Sequence, residues 1–215
     1  MSIEQRPIPR QLLSASVALI LVLSGCSSMS KNECLTVDWR TVGYEDGVDG
    51  YPADRIAIHR KACAKYGVST DLALYQQGRE QGLQEFCKPA NGYRVGARGG
   101  SYPSVCPATL EPAFAAAFDS GHQLYVLQSR VSNADAQIDY KRRELHQIEH
   151  GIAANAAQVV SNDSTPKDRA DALVDTAQLA ERIGRLKGEI RQLEEDRVRY
   201  ERDLESYQAS QAPST

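Results

Sequence analysis

His146, Glu149 and His150 have the H-x-x-E-H spacing in which two histidines bind zinc and a glutamate activates water. Leu145 and Ile148 belong to a seam of apolar residues with heptad spacing, and this seam turns the three polar side chains outward on a solvated helix. The sequence offers no evident third ligand. We therefore interpret the three residues as the charged flank of a coiled coil and predict neither a catalytic residue nor a metal site there.

Two other groups contain residue types that bind metals. His59 and Cys63 are four residues apart on one face of a predicted helix, but no C-x-x-C pair accompanies them. The acidic run Glu45-Asp46-Gly47-Val48-Asp49-Gly50 suggests calcium, yet its spacing does not fit an EF-hand loop. Nucleophile-elbow, phosphate-binding and dinucleotide-binding motifs are also missing from the sequence. We predict that the protein is not an enzyme and uses no metal and no cofactor.

The amino-terminal segment has the pattern of a secretory signal. Two arginines precede an apolar run from Leu12 to Leu23, which is too short for a transmembrane helix. The run ends in Leu23-Ser24-Gly25-Cys26, which resembles the lipobox of bacterial lipoproteins. The resemblance implies cleavage before Cys26, a diacylglyceryl group on its sulfur and an acyl chain such as palmitate on the new amino terminus. Ser27 follows in place of the aspartate that retains lipoproteins in the inner membrane, which favours the outer membrane. The alternative is an ordinary secretory signal with an incidental cysteine.

Four cysteines remain after lipidation. An even number in an oxidising compartment is typical of disulfides, and we predict two bonds among Cys34, Cys63, Cys87 and Cys106. Two predicted helices, Asp38–Asp49 and Asp54–Tyr66, fold back on each other at the turn between them and favour Cys34–Cys63. A turn at Asn91-Gly92 favours Cys87–Cys106. The two other pairings stay open, as does a zinc site at His59 and Cys63.

Composition separates the chain into two halves. The net charge of −3 and the pI near 5.8 exclude a general electrostatic attraction to nucleic acid. Ten of the 15 glycines and all five cysteines lie between residues 26 and 108, whereas the second half is rich in charge. We predict this organisation: signal peptide 1–25, tether 26–33, Cys/Gly/aromatic-rich domain 34–110, coiled-coil hairpin 111–207 and disordered tail 208–215.

Glycines in the first half recur four residues apart after an aromatic residue. Tyr75-x-x-Gly78-x-x-x-Gly82 is followed by Tyr93-x-x-Gly96-x-x-x-Gly100, and a looser relative begins at Trp39. On a helix, this spacing makes a groove that another backbone can approach closely. The groove either packs against a helix of the same domain or accepts a partner's helix or a glycan chain.

The first half resembles a known family in the combined spacing of its cysteines, glycines and aromatic residues. The residues that carry the resemblance are Cys34, Asp38-Trp39, Gly43, Asp46-Gly47, His59, Cys63, Tyr75, Gly78-Arg79, Gly82-Leu83, Cys87 and Cys106-Pro107. They resemble the signature of domain of unknown function 2799, and the similarity covers residues 34–110. The resemblance implies an envelope lipoprotein, and the family supplies no activity or catalytic residues.

The second half has two long seams of apolar residues spaced alternately by three and four. One seam is Leu124, Leu127, Val131, Ala134, Ile138, Lys141, Leu145, Ile148, Ile152, Asn155 and Val159; the other is Leu179, Ile183, Leu186, Ile190, Leu193, Arg197, Tyr200, Leu204 and Tyr207. Such seams predict coiled coil. A polar loop at 161–165 joins them, so we predict an antiparallel hairpin. The alternative is a parallel dimer of two broken helices.

The predicted fold class is therefore mainly α: a small disulfide-stabilised helical domain followed by a long antiparallel coiled-coil hairpin. A long rod without a cavity favours a non-catalytic scaffold or regulator, anchored by lipid to the periplasmic face of the outer membrane. Its expected partners are the membrane and an envelope protein that binds the coiled coil, with no nucleic acid. The alternative is a module that binds peptidoglycan or lipid, in which Arg94 and Arg98 beside Tyr93 and Tyr102 contact an anionic group.

Overall fold

The computed structural model describes residues 29–211, and this part of the chain is helical with no strand. It comprises α1 (Lys31–Leu35), α2 (Trp39–Val48), a 3-10 turn (Ala53–Arg55), α3 (Ile56–Ala64), α4 (Leu72–Phe86), α5 (Pro89–Ala97), α6 (Glu111–Val160) and α7 (Pro166–Gln211). None of these helices combines the length and the hydropathy that crossing a membrane requires. The mainly α prediction is confirmed. The signal peptide and Cys26 lie outside the described residues.

Short polar side chains set where the helices of the first half begin. Ser30 caps α1 and exchanges two hydrogen bonds with Glu33, which is a capping box. Asp38 caps α2 and Asp71 caps α4, in each case by accepting a backbone N–H of the first turn. The segment predicted as a tether is thus partly helical. Met29 already lies in the core, and its Sδ is 3.7 Å from the Sγ of Cys63.

Two disulfides fasten the first half, Cys34–Cys63 and Cys87–Cys106, with Cα–Cα distances of 5.3 and 5.7 Å. This is the predicted pairing. However, the turns that were predicted to bring each pair of cysteines together are not the ones that do so. The main packing partner of α2 is α4 and not α3, and Asn91-Gly92 lies inside α5 instead of forming a turn. The segment after α5 makes the return that brings Cys106 to Cys87.

The second half is an antiparallel hairpin of α6 and α7, as predicted. The buried residues of α6 after Gly121 and those of α7 occupy seam positions, with Ala172 continuing the second seam by one heptad before Leu179. With 50 residues, α6 is roughly 75 Å long. Ion pairs join the two helices in the lower part of the hairpin, which is the part farther from the connecting loop at 161–165. They are Asp135–Arg197, Lys141–Glu189, Arg142–Glu194 and Glu144–Arg182. Helix α7 continues to Gln211, so residues 208–211, predicted to be disordered, are helical.

Candidate functional site

Glycines hold α2 and α4 in backbone contact. A Cβ atom added to Gly43 would lie 2.0 Å from the carbonyl oxygen of Tyr75, and one added to Gly78 would lie 1.9 Å from that of Arg40. Gly47 and Gly82 meet the opposite backbone in the same way. The groove that the glycine spacing predicts is therefore filled by a helix of the same domain, and at these positions it is closed to a partner or a glycan.

Helices α5 and α6 repeat this arrangement. A Cβ atom on Gly92 would lie 2.5 Å from the carbonyl oxygen of Phe114, and one on Gly96 would lie 2.2 Å from that of Phe118. In return, a Cβ atom added to Gly121 of α6 would lie 2.1 Å from the carbonyl oxygen of Tyr93. The first fifteen residues of α6 thus pack on α5 in the way that α4 packs on α2 (roughly four helical turns).

The two helix pairs are related by an internal repeat in the sequence. Gly43-Tyr44-x-x-Gly47-x-x-Gly50 corresponds to Gly92-Tyr93-x-x-Gly96-x-x-Gly99. Gly50 and Gly99 both have φ of +71°, and each lies beneath an aromatic ring, of Phe86 and Tyr125 respectively. The similar spacings at Tyr75 and at Tyr93 do not mark equivalent helices, because Tyr75 lies in the second helix of its pair and Tyr93 in the first helix of the other pair.

The first helix pair carries a buried polar cluster that joins three helices. Asp46 of α2 accepts a hydrogen bond from His59 of α3 at 2.7 Å and one from the Tyr75 hydroxyl of α4 at 2.7 Å, both on Oδ2. None of the three residues is more than 6% exposed. Arg55 places its Nε 3.9 Å from the other carboxylate oxygen, Oδ1. The Asp46–His59–Tyr75 cluster therefore contains one carboxylate, two donors and a nearby cation.

The surroundings of Asp46 favour its charged form. Burial by itself would raise the pKa of this carboxyl, but the hydrogen bonds from His59 and Tyr75 and the charges of His59 and Arg55 outweigh burial and lower it. Burial raises the pKa of the Tyr75 hydroxyl, and the hydrogen bond to Asp46 and its charge raise it further. Tyr75 is thus a neutral donor to an ionised carboxylate.

The second helix pair has no such cluster. In the register of the repeat, Val95 takes the place of Asp46 and Phe114 takes the place of Tyr75. Phe114 is fully buried among Leu83, Cys87 and Phe118, in an apolar core. The fold of a helix pair therefore does not require the polar cluster, and the cluster is a special feature of the first pair.

Chemically, the cluster is arranged to hold α2, α3 and α4 together. The two donors point at one carboxylate oxygen, and the Nδ1 atom of His59 is buried without a hydrogen-bond partner among the described residues. A surface cavity of about 380 Å³ adjoins Asp46 and His59 and is also lined by Glu33, Asp38 and Glu45. Carboxylates dominate its polar lining, so its field repels an anionic glycan.

The other residues considered from the sequence do not assemble into a site. His146 Nδ1 and Glu149 Oε2 lie 3.6 Å apart, but both side chains are exposed on the outside of α6. Cys63 is bonded to Cys34, which removes it as a zinc ligand. Tyr102 packs edge-on against Phe118 and donates its hydroxyl to Glu111, an interaction that raises the pKa of Tyr102 to about 12 with a smaller contribution from burial.

From the sequence, His59 and Asp46 were considered separately as zinc and calcium ligands, and Tyr75 as part of the glycine pattern. All three are among the residues that resemble the DUF2799 signature, but the sequence did not predict that they contact one another. The residues are 13 and 29 positions apart, and only the packing of α3 and α4 on α2 brings the side chains together. The available signal was an aspartate at the core-facing spacing of α2, one residue before Gly47.

Residues 38–123 match the family model described as "Protein of unknown function (DUF2799)". We call these matched residues the DUF2799 domain. The match confirms the resemblance seen in the sequence and extends it into α6. No curated protein and no solved structure matches the chain.

The limits of the DUF2799 domain agree with the packing. The match begins at the residue that caps α2 and ends two residues after Gly121, the last glycine that meets the backbone of a neighbouring helix. Both glycine-packed pairs and the Asp46–His59–Tyr75 cluster lie inside it. The remainder of α6 and all of α7 lie outside the match. We call this part the upper hairpin, and it is an addition to the domain.

Acid is expected to destabilise the DUF2799 domain through Asp46. Because the pKa of Asp46 is lowered by folding, its contribution to the free energy of unfolding is complete above the ordinary carboxyl pKa and is lost as the pH falls through the lowered value. We expect the urea midpoint, followed by Trp39 fluorescence, to decline below about pH 4. Asp46→Asn should reduce the stability by about 1–3 kcal/mol at pH 7 and flatten the decline. Equal acid sensitivity in both proteins would assign the effect to other carboxylates.

Proposed function

We propose that this protein is an outer-membrane lipoprotein that acts as a non-catalytic scaffold or regulator, with the DUF2799 domain as its base and the hairpin as its contact surface in the periplasm. The observation that carries the proposal is the hairpin itself. It continues for roughly 55 Å beyond residue 123, at 1.5 Å per residue, and exposes side chains on all sides except the seam.

The position of Met29 supports a base close to the membrane. Met29 is buried against Cys63 and Trp39 in the core of the first helix pair. It follows Cys26 by only three residues, which span at most about 11 Å when extended. A lipid on Cys26 would therefore hold the base against the bilayer surface and leave the hairpin as the part that reaches other proteins.

Cys26→Ser is expected to abolish lipid attachment and signal cleavage. The thiol is the atom that would carry the diacylglyceryl group, and a hydroxyl does not replace it. Labelling with a radioactive or clickable fatty acid and the mass of the mature chain measure the result. Serine at position 27 or 28 offers no substitute thiol, so the variant should remain an unlabelled precursor. Undiminished acylation of the variant contradicts the lipoprotein proposal.

The role of the hairpin can be tested by shortening it without disturbing its seam. Deleting residues 131–144 together with 186–199 removes two heptads from each helix, so that facing positions stay in register, and shortens the rod by about 21 Å. We expect this variant to be lipidated and folded but to lose crosslinks to envelope proteins that the full-length chain forms in intact cells. A crosslinking pattern unchanged by the deletion would place the contacts on the base. If both proteins also bind purified sacculi equally, the peptidoglycan-binding alternative is supported instead.

A further inference from the structure

The distal part of the hairpin differs from the lower part in what it exposes. The ion pairs between α6 and α7 lie below this part, and Glu144–Arg182 is the pair nearest to the loop among the described residues. Nearer the loop, Val160, Leu173 and Val174 are 79%, 59% and 58% exposed. These large apolar side chains remain in contact with water in the folded hairpin, which costs free energy unless another surface covers them.

The exposed apolar residues share one side of the hairpin. With the seam at heptad positions a and d, Ala153, Ala156 and Ala157 occupy b, e and f of α6, and Leu173, Val174 and Ala177 occupy e, f and b of α7. In an antiparallel pair, the e positions of the two helices lie side by side. We call these six residues the tip face.

The ion pairs in the lower part of the hairpin confirm that the e positions of the two helices share one side and the g positions share the other. Arg142 and Glu194 both occupy e positions and pair at 2.7 Å, so they mark the side that carries the tip face. Glu144 and Arg182 both occupy g positions and pair across the other side. At the level of the tip face, that other side carries the acidic residues Asp171 and Asp175. At the level of the tip face, one side of the hairpin is therefore apolar and uncharged while the opposite side is acidic, and the charged residues Lys167 and Glu181 lie one heptad to either side of Val174.

The tip face has large residues on one helix and small residues on the other, at matching levels. A Cβ atom on Gly151 would contact Leu179, and Arg169 donates to the carbonyl of Ser161, so facing positions have numbers that add up to 330. Leu173 is consequently level with Ala157. By the same register, Val174 is level with Ala156.

This asymmetry decides how two copies of the face can fit. If a twofold axis runs parallel to the rod, α7 of each copy lies over α6 of the other, and each leucine or valine meets an alanine at its own level. If the axis crosses the rod, α7 lies over α7, and large residues meet large ones. The parallel arrangement is the one with complementary shapes, and no charge is buried in it.

We propose that the tip face binds a second copy of this chain, with two hairpins packed side by side and pointing in the same direction. Leu173 of one copy lies against Ala157 of the other, and the twofold axis repeats this contact. Two chains anchored in the same membrane would meet in this orientation, which agrees with the lipid anchor proposed above. The contact itself follows from the hairpin and does not depend on that anchor.

The size of the tip face makes this a weak dimer. The face is about two helix diameters wide and about two turns long, which gives a footprint on the order of 200 Å² per copy. Stable complexes bury about 800 Å² per partner. The dimer is therefore expected to form when the chains are concentrated, as on a membrane surface, and to dissociate in dilute solution.

The test uses full-length chains with single cysteine substitutions and a short bismaleimide that reaches about one helix diameter. Leu173→Cys lies near the proposed axis, and Asp175→Cys, two residues away, lies on the opposite side. In the Cys26→Ser background at raised protein concentration, and in membranes with Cys26 retained and acylated, Leu173→Cys should give a crosslinked dimer and Asp175→Cys should give far less. Equal crosslinking at the two positions overturns the proposal. Because the first background carries no lipid, failure of the anchor and failure of the dimer are separate results.

A second pair of substitutions tests the shape of the contact. Ala157→Arg, added to the Leu173→Cys chain, places a charge opposite the leucine position and should abolish the dimer. Ala154→Arg, on the acidic side, should leave it intact. Lys187→Cys occupies another e position two heptads nearer the base and should also crosslink to itself in a parallel dimer. Crosslinking at residue 173 without crosslinking at residue 187 would replace the parallel arrangement with an antiparallel overlap of the tips.

Discussion

Gly78→Ala is expected to unfold the DUF2799 domain while leaving the upper hairpin helical. The added Cβ would lie 1.9 Å from the carbonyl oxygen of Arg40 and 2.9 Å from the backbone nitrogen of Tyr44. Neither is the end of a flexible side chain, so α2 and α4 must separate. We expect a loss of about 3 kcal/mol or more, at the upper end of the cost of overpacking.

The chain allows the two halves to be followed independently. Trp39 is its single tryptophan and lies in the core of the first helix pair, so its fluorescence reports the DUF2799 domain. Most of the helical circular dichroism comes from α6 and α7. The matched control is Gly184→Ala, because that glycine is also helical but has nothing within 4 Å of the added methyl group. This control should gain up to about 1 kcal/mol in helix stability. A Gly78→Ala protein with an unchanged fluorescence midpoint would contradict the close backbone contact.

Removing the Cys34–Cys63 disulfide is expected to have the next largest effect. The bond closes a segment with a sequence separation of 29 and joins α1 to α3, which otherwise share few contacts. In the chain-entropy description, a loop of this length corresponds to about 3–4 kcal/mol. The double variant Cys34→Ala/Cys63→Ala should therefore show a lower urea midpoint of Trp39 fluorescence.

The second disulfide supplies the comparison. Cys87→Ala/Cys106→Ala opens a segment with a separation of 19 in the apolar core of the second helix pair. Its effect on Trp39, which belongs to the other core, should be smaller. If the two double variants lower the Trp39 midpoint equally, the two helix pairs unfold as one cooperative unit, and the separate roles assigned to the bonds are wrong.

The hairpin was predictable because its signal is local and long. Heptad spacing repeats along both seams, and the loop at 161–165 has residues that end one helix and begin the next. Lys141 and Arg197, which interrupt the seams, bond to Glu189 and Asp135 across the helices. Even polar seam residues thus obey the predicted register, since a partner lies within reach on the opposite helix.

The packing of the first half was only partly predictable. The four-residue spacing of glycines indicates that a backbone approaches, but it does not say which helix supplies that backbone. Asn91-Gly92 has the composition of a turn, yet Gly92 is needed inside α5, where a side chain would strike Phe114. Tertiary contact overrides the local preference there. For the Asp46–His59–Tyr75 cluster, the local signal was limited to the core-facing position of Asp46 in α2, because His59 and Tyr75 come from two other helices.

Helix α6 takes part in two different assemblies without a break. Its first turns pack on α5 through Gly121, and the rest of the helix packs against α7. Near the end of α7, the Tyr207 hydroxyl donates a hydrogen bond to the carbonyl of Ser120 at 2.6 Å. Within the described residues, α6 runs from the base into the rod without a loop, so this helix has no hinge at the point where a bending load would be greatest. A sideways push at the loop end is carried by one continuous helix into the glycine contacts, which gives the rod the mechanics of a cantilever fixed at one end.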